Sequence, residues 1–158
     1  DGTPGPTAPL GSNPGGGPVV LADGSVALSV GSTLRRFLPT GLAAWVVPAP
    51  LTGAGLTPLV LAGASTATTL LVPTRAGGVD AVRAEDGARL WSASLTVNGE
   101  LREGAVWPAA DGLTSLAWFT SGAGFLYALV VDGGLDPAAP WPKAWHDPRN
   151  TGNLAAPR

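Results

Sequence analysis

The chain has no cysteine, no methionine and a single histidine, His146. Without cysteine there is no disulfide scaffold, no thiolate metal site, no Fe–S cluster and no thiol nucleophile. One histidine excludes multi-histidine metal centres of the zinc-protease kind. Charge is scarce. Only 13% of the 158 residues are Asp, Glu, Lys or Arg, and the formal net charge is −2. Such a balance gives no basic field for nucleic acid and no polybasic membrane patch. No apolar run approaches the roughly 18–20 residues of a spanning helix, so no transmembrane segment is expected. The chain opens at Asp1 without methionine or signal peptide, which reads as a processed or excised piece of something longer.

Turn formers and small apolar residues are abundant instead. There are 23 glycines and 16 prolines, and 45% of the chain is apolar, which argues against uniform disorder. Residues 1–16 are Gly/Pro-rich with almost no bulky apolar side chain. Burial there cannot offset the entropy of ordering, so a flexible N-terminal linker or arm is expected. From residue 17 onward, apolar runs of four to seven residues alternate with turn residues. No long helical stripe survives without a Gly or Pro break, so strands are expected throughout. Asp23-Gly24, Asp86-Gly87, Asp111-Gly112, Asp132-Gly133 and Asn98-Gly99 each lie between apolar runs. They suit hairpin turns needing positive φ, and the calcium-loop spacing of alternating Asp and Asn is absent.

The sequence also has a period. Gly41, Gly87 and Gly133 are 46 residues apart in both steps, and each is followed by a tryptophan: Trp45, Trp91 and Trp141. The third interval is four residues longer, which the insertion Asp136 to Ala139 explains. Matching apolar runs precede each glycine: Leu34 to Phe37, Val79 to Val82 and Leu126 to Leu129. A period of 40–50 residues with four short antiparallel strands per copy is the signature of a propeller blade. The expected fold is therefore all-β, with about three four-stranded antiparallel blades of a β-propeller in an incomplete ring. The blades cover about residues 17–52, 53–96 and 97–140, and 141–158 forms a C-terminal docking tail. Trp91, and Trp45 with it, should fill the layers between blades.

The stretches GGVDAVRAEDGARLW (Gly77 to Trp91) and GFLYALVVDGGLDPAAPW (Gly124 to Trp141) resemble the quinoprotein-like (PQQ-like) β-propeller repeat. APWPKAWHDPRNTGN (Ala139 to Asn153) is similar to a stretch found beside such propellers in bacterial cell-surface proteins. The resemblance spans about Gly17 to Asn153. The first copy departs most, with Arg35-Arg36 in place of Tyr-Ala and Thr40 before its turn glycine. The resemblance implies an exported, non-enzymatic toroidal scaffold, as in the bacterial outer-membrane assembly lipoprotein, located in the periplasm, at the cell surface or outside the cell. It also extends to quinone-dependent dehydrogenases. Those carry a calcium site, a catalytic aspartate and usually a vicinal cysteine pair, and this chain has no cysteine.

Other candidate chemistry is thin. His146-Asp147 is the only His–carboxylate neighbour pair, and no G-x-S-x-G elbow accompanies it. With Trp141 and Trp145 it is expected to pin the tail to a blade by packing and local hydrogen bonds. Glu100, Glu103 and Asp111 read as solvated loop carboxylates. Arg35-Arg36 alone makes a weak anion site. Trp107, Trp118, Phe119, Phe125 and Tyr127 could line a groove, but packing between blades explains them more simply. No catalytic, cofactor or metal residue is assigned. The expected function is structural or protein-binding, and the expected partner is the remainder of a parent propeller or a separate protein. A homo-oligomer is the other route, and to continue the blade order it would close head to tail. The alternatives are a fragment of a quinoprotein-type dehydrogenase and a carbohydrate-binding module using exposed tryptophans.

Overall fold

A computed structural model of the chain describes residues 5–63, 67–95, 99–108, 114–140 and 142–143. The described residues contain twelve strands and no helix. They are β1 (Val19–Val20), β2 (Val26–Val30), β3 (Thr33–Phe37), β4 (Ala49–Pro50), β5 (Leu59–Ala62), β6 (Thr68–Pro73), β7 (Gly78–Arg83), β8 (Arg89–Ser94), β9 (Leu101–Pro108), β10 (Thr114–Ser121), β11 (Leu126–Asp132) and β12 (Gly134–Leu135). They form three open antiparallel sheets, ordered β1-β2-β3-β4, β12-β5-β6-β7-β8 and β11-β10-β9.

The sheets stack in chain order, with the five-stranded sheet in the middle. Alternate residues of its strands serve two cores. Val60, Leu70, Val72 and Val82 pack with Val19, Leu34, Trp45 and Ala49 of the first sheet and its loop. Leu59, Leu61, Leu71 and Ala81 pack with Leu101, Val106, Ala117 and Phe119 of the third sheet. A strand covered on both faces can be apolar at consecutive positions, and β6 is so after its two threonines: Leu70, Leu71 and Val72 are consecutive and fully buried. β10 has only one covered face and alternates, burying Ser115, Ala117, Phe119 and Ser121.

The strand count corrects the expectation of three equal four-stranded units. The third sheet keeps three strands, because β12 leaves it and pairs with β5 (Gly134 with Ala62, Leu135 with Leu61). The four inserted residues follow the crossing and continue it along β5. Asp136 donates its amide to the Val60 carbonyl, and its carboxylate accepts from the Ala138 amide at 2.9 Å. Ala139 then inserts into the core between the first two sheets. The crossing satisfies the open edge of β5 and leaves that of β11 unpaired.

The described part of the Gly/Pro-rich arm lies along the first sheet. Pro6 sits against Gly41 at one end of that sheet, and Pro14 forms a bridge with Val30 at the other. The Gly15 amide bonds the Ser29 carbonyl, and the Gly17 amide bonds Thr57 Oγ1. Leu28 and Val30, which point away from the second sheet, are buried although no sheet covers their face.

Candidate protein-contact surface

The three period-defining glycines share one conformation. Gly41, Gly87 and Gly133 have φ of 84°, 76° and 77°, and they follow β3, β7 and β11. An L side chain resists this left-handed region, so the turn itself demands glycine. A second set, Gly31, Gly77 and Gly124, is also left-handed and closes the β2–β3, β6–β7 and β10–β11 hairpins.

The tryptophans that follow do not share one environment. Trp45 lies in the loop between β3 and β4, is only 6% exposed and belongs to the first core. Its indole Nε1 donates to the Ala84 carbonyl at 3.0 Å. Its ring packs against Gly87, where a Cβ would lie 3.0 Å from Trp45 Cδ2. One repeat's tryptophan thus seats on the next repeat's glycine. Trp91, by contrast, is 40% exposed on β8, which corrects the expectation that it is buried between sheets. The cause is the reach of the third sheet. That sheet has no fourth strand to extend over β8, and β8 is exposed along most of its length. Trp141, Trp145, His146 and Asp147 lie outside the described residues.

Polar side chains near these junctions are mostly paired, the buried Nε of Arg35 being an exception. Buried Asp80 accepts from the Thr52 amide at 2.7 Å, Thr52 Oγ1 at 2.9 Å and Ser92 Oγ at 2.7 Å. Arg36 bonds Asp23, Ser25 Oγ and the Ala84 carbonyl, tying the first sheet to the second. Burial pushes the Asp23 carboxyl up. Bonds from the Ser25 hydroxyl and amide and the charge of Arg36 outweigh it and hold the group below the usual carboxylate range. Glu100 is paired with Arg75 and Arg102, and Glu103 accepts from Thr57. Asp111 lies outside the described residues. Among the described residues no group of three or more His, Asp or Glu side chains could hold a metal ion.

Described residues line at least two open concavities. A cleft of about 480 Å³ runs between the second and third sheets, with Trp91, Arg83, Thr69 and Asp132 on its walls. A smaller one of about 210 Å³ lies beside Trp45, Arg35 and Arg36.

The largest unsatisfied feature is the outer face of the third sheet. Register places Trp107, Leu116 and Val130 side by side in one row, and Ala105, Trp118 and Ala128 in the next. Trp107 is 65% and Trp118 is 36% exposed, and Leu126, Val130 and the turn residue Phe125 are exposed with them. The opposite face of the same strands carries Val106, Ala117 and Phe119 into the second core. The aromatic set named from sequence is therefore divided. Phe119 is core, Tyr127 packs at its margin with its ring centroid 6.3 Å from that of the exposed turn residue Phe125, and Trp107 and Trp118 face outward. Strand alternation in Thr114 to Ser121 was the available signal, since it places Trp118 and Phe119 on opposite faces.

No family model and no curated protein matches the chain. Among the described residues no helix is long and apolar enough to cross a membrane.

Proposed function

We propose that this chain is a non-enzymatic, protein-binding segment of β-propeller type from an exported or cell-surface bacterial protein. The three sheets are its blades, and further blades or a partner cover what it leaves open. The observation that carries the reading is the uncovered apolar outer face of the third sheet. A layer that is apolar on both faces needs a neighbour on each side. Support comes from the stacking of the three sheets in chain order and from the turn glycines recurring at the 46-residue period. The crossing of β12 to β5 makes the third blade an incomplete one.

A thermal-shift experiment with calcium and pyrroloquinoline quinone tests the non-enzymatic part. The expected outcome is an unchanged melting temperature. A saturable rise of several degrees with both present would overturn it in favour of a quinoprotein fragment. A second reading, carbohydrate binding, is favoured by half-exposed Trp91 on the wall of a cleft that also offers Arg83, Thr69 and Asp132. Binding on a glycan array that Trp91→Ala abolishes would put that reading first.

A further inference from the structure

The two ends of the stack are unlike. At one end the N-terminal arm runs the length of the first sheet, from Pro6 at Gly41 to Pro14 at Val30, and the outward Leu28 and Val30 are buried. At the other end the face of β9–β10–β11 carries two rows with no charged side chain. A head-to-tail assembly would have to displace the arm, whereas a face-to-face pairing of two third sheets displaces none of the described residues. We propose that the outer face of β9–β10–β11 is the interface of a two-fold symmetric homodimer, in which the third sheets of two copies pack against each other. The proposal rests on the reading that this chain works through protein contacts, and it names the surface and the partner.

Three properties of the face select a second copy. It is self-complementary in shape. The Trp118 ridge is flanked in register by Ala105 and Ala128, so under a two-fold operation each copy's ridge meets a small-residue hollow on the other. It is electrostatically neutral across both rows, so it offers nothing to a strongly charged partner. The net charge of −2 per chain adds little repulsion between copies. Its area fits a modest dimer. Two tryptophans and two aliphatic side chains at these exposures present on the order of 500 Å², against about 800 Å² per partner in a standard interface. That lies at the small end of interface sizes, where weak and reversible association is found.

Sedimentation equilibrium of the full chain across about 1–500 μM tests this, together with Val130→Lys and Trp118→Ser. Both positions are exposed on the face, so circular dichroism and the denaturant midpoint should show the fold intact. Val46→Lys, on the fully exposed loop after Trp45, is the control for a different apolar surface. The expected result is a reversible monomer–dimer equilibrium that Val130→Lys weakens at least tenfold and Val46→Lys leaves unchanged. Tryptophan emission should shift to the blue as the dimer forms, and less so in Trp118→Ser. Three results would overturn the proposal: a monomer at every concentration, a dimer indifferent to Val130→Lys, or a mass that keeps growing past the dimer. None of these touches the ligand tests of the proposed function, so the two ideas fail separately.

Discussion

Replacing Trp45 by alanine should be among the most damaging single substitutions in the chain, and the same change at Trp91 among the milder ones. The two residues occupy equivalent places in the repeat, four residues after Gly41 and Gly87. Their surroundings decide the difference. Trp45 is 6% exposed between the first two sheets, so its removal loses nearly the whole indole from the core and opens a cavity beside Gly87. Large-to-small changes of this kind cost about 3–5 kcal/mol. The lost indole hydrogen bond adds little, because the Ala84 carbonyl still accepts from Arg36 Nη1 at 2.6 Å. Trp91 already keeps 40% of its surface in water, so truncation there should cost about 1 kcal/mol, the centre of the distribution for point mutations. Urea denaturation followed by circular dichroism separates the two: the Trp45→Ala midpoint should fall sharply at unchanged slope, and Trp91→Ala should fall by a small fraction of that. Trp45→Phe, losing less volume, should lie between. Equal losses for the two alanine variants would refute the assignment of Trp45 to the inter-sheet core.

Gly87→Ala should cost about 2 kcal/mol or more, since the left-handed backbone penalises a Cβ by about 1–2 kcal/mol and the new methyl meets the Trp45 ring; the denaturant midpoint reads it, and a neutral result would contradict the seating of Trp45 on that turn. Asp80→Ala strands the Thr52 amide and hydroxyl and the Ser92 hydroxyl, and should destabilise by about 2–4 kcal/mol by the same assay, with Ser92→Ala costing less than half as much. Asp23 has a folded pKa held below its unfolded value, so its contribution is present above the unfolded pKa and is lost as pH falls through the folded one. With its side chain half exposed, the contribution should stay under about 1 kcal/mol. Asp23→Asn should therefore lower the midpoint slightly at pH 7 and converge with the parent protein once the pH has fallen through the folded pKa of Asp23, and a difference that persists in acid would show that charge is not its cause.

What was legible in the sequence was local. A left-handed turn needs glycine whatever surrounds it, so Gly41, Gly87 and Gly133 mark the ends of β3, β7 and β11 without knowledge of the packing. Apolar runs at Leu34 to Phe37, Val79 to Val82 and Leu126 to Leu129 likewise lie in those strands. Packing was legible only where alternation carried it. The period alone puts Trp45 and Trp91 in one class, yet burial depends on whether a neighbouring sheet reaches the position, and that is a long-range fact. The same holds for Phe119 and Trp118, which are adjacent in sequence and face opposite ways.

The fate of β12 shows how a small local change redirects the whole unit. In the first two copies the chain after the repeat glycine goes on to a strand beside the third strand, β4 on β3 and β8 on β7. In the third copy the turn at Gly133 brings the backbone against Ala62, and no side chain could be accommodated at that approach. Two strand residues pair with β5, the Asp136 carboxylate reverses the chain, and Ala139 reaches the first core. The inserted residues, which lengthen the step from Gly133 to Trp141, follow this crossing and carry the chain on from β5 into the core between the first two sheets. The crossing of β12 has two consequences: the middle sheet gains its fifth strand, and β11 keeps an open edge beside the exposed face of Trp118 and Val130. An interface at that face therefore lies next to unpaired backbone. Face packing and edge pairing are both open to a partner there, as they are at β9, the other edge of the same sheet, which carries exposed Trp107.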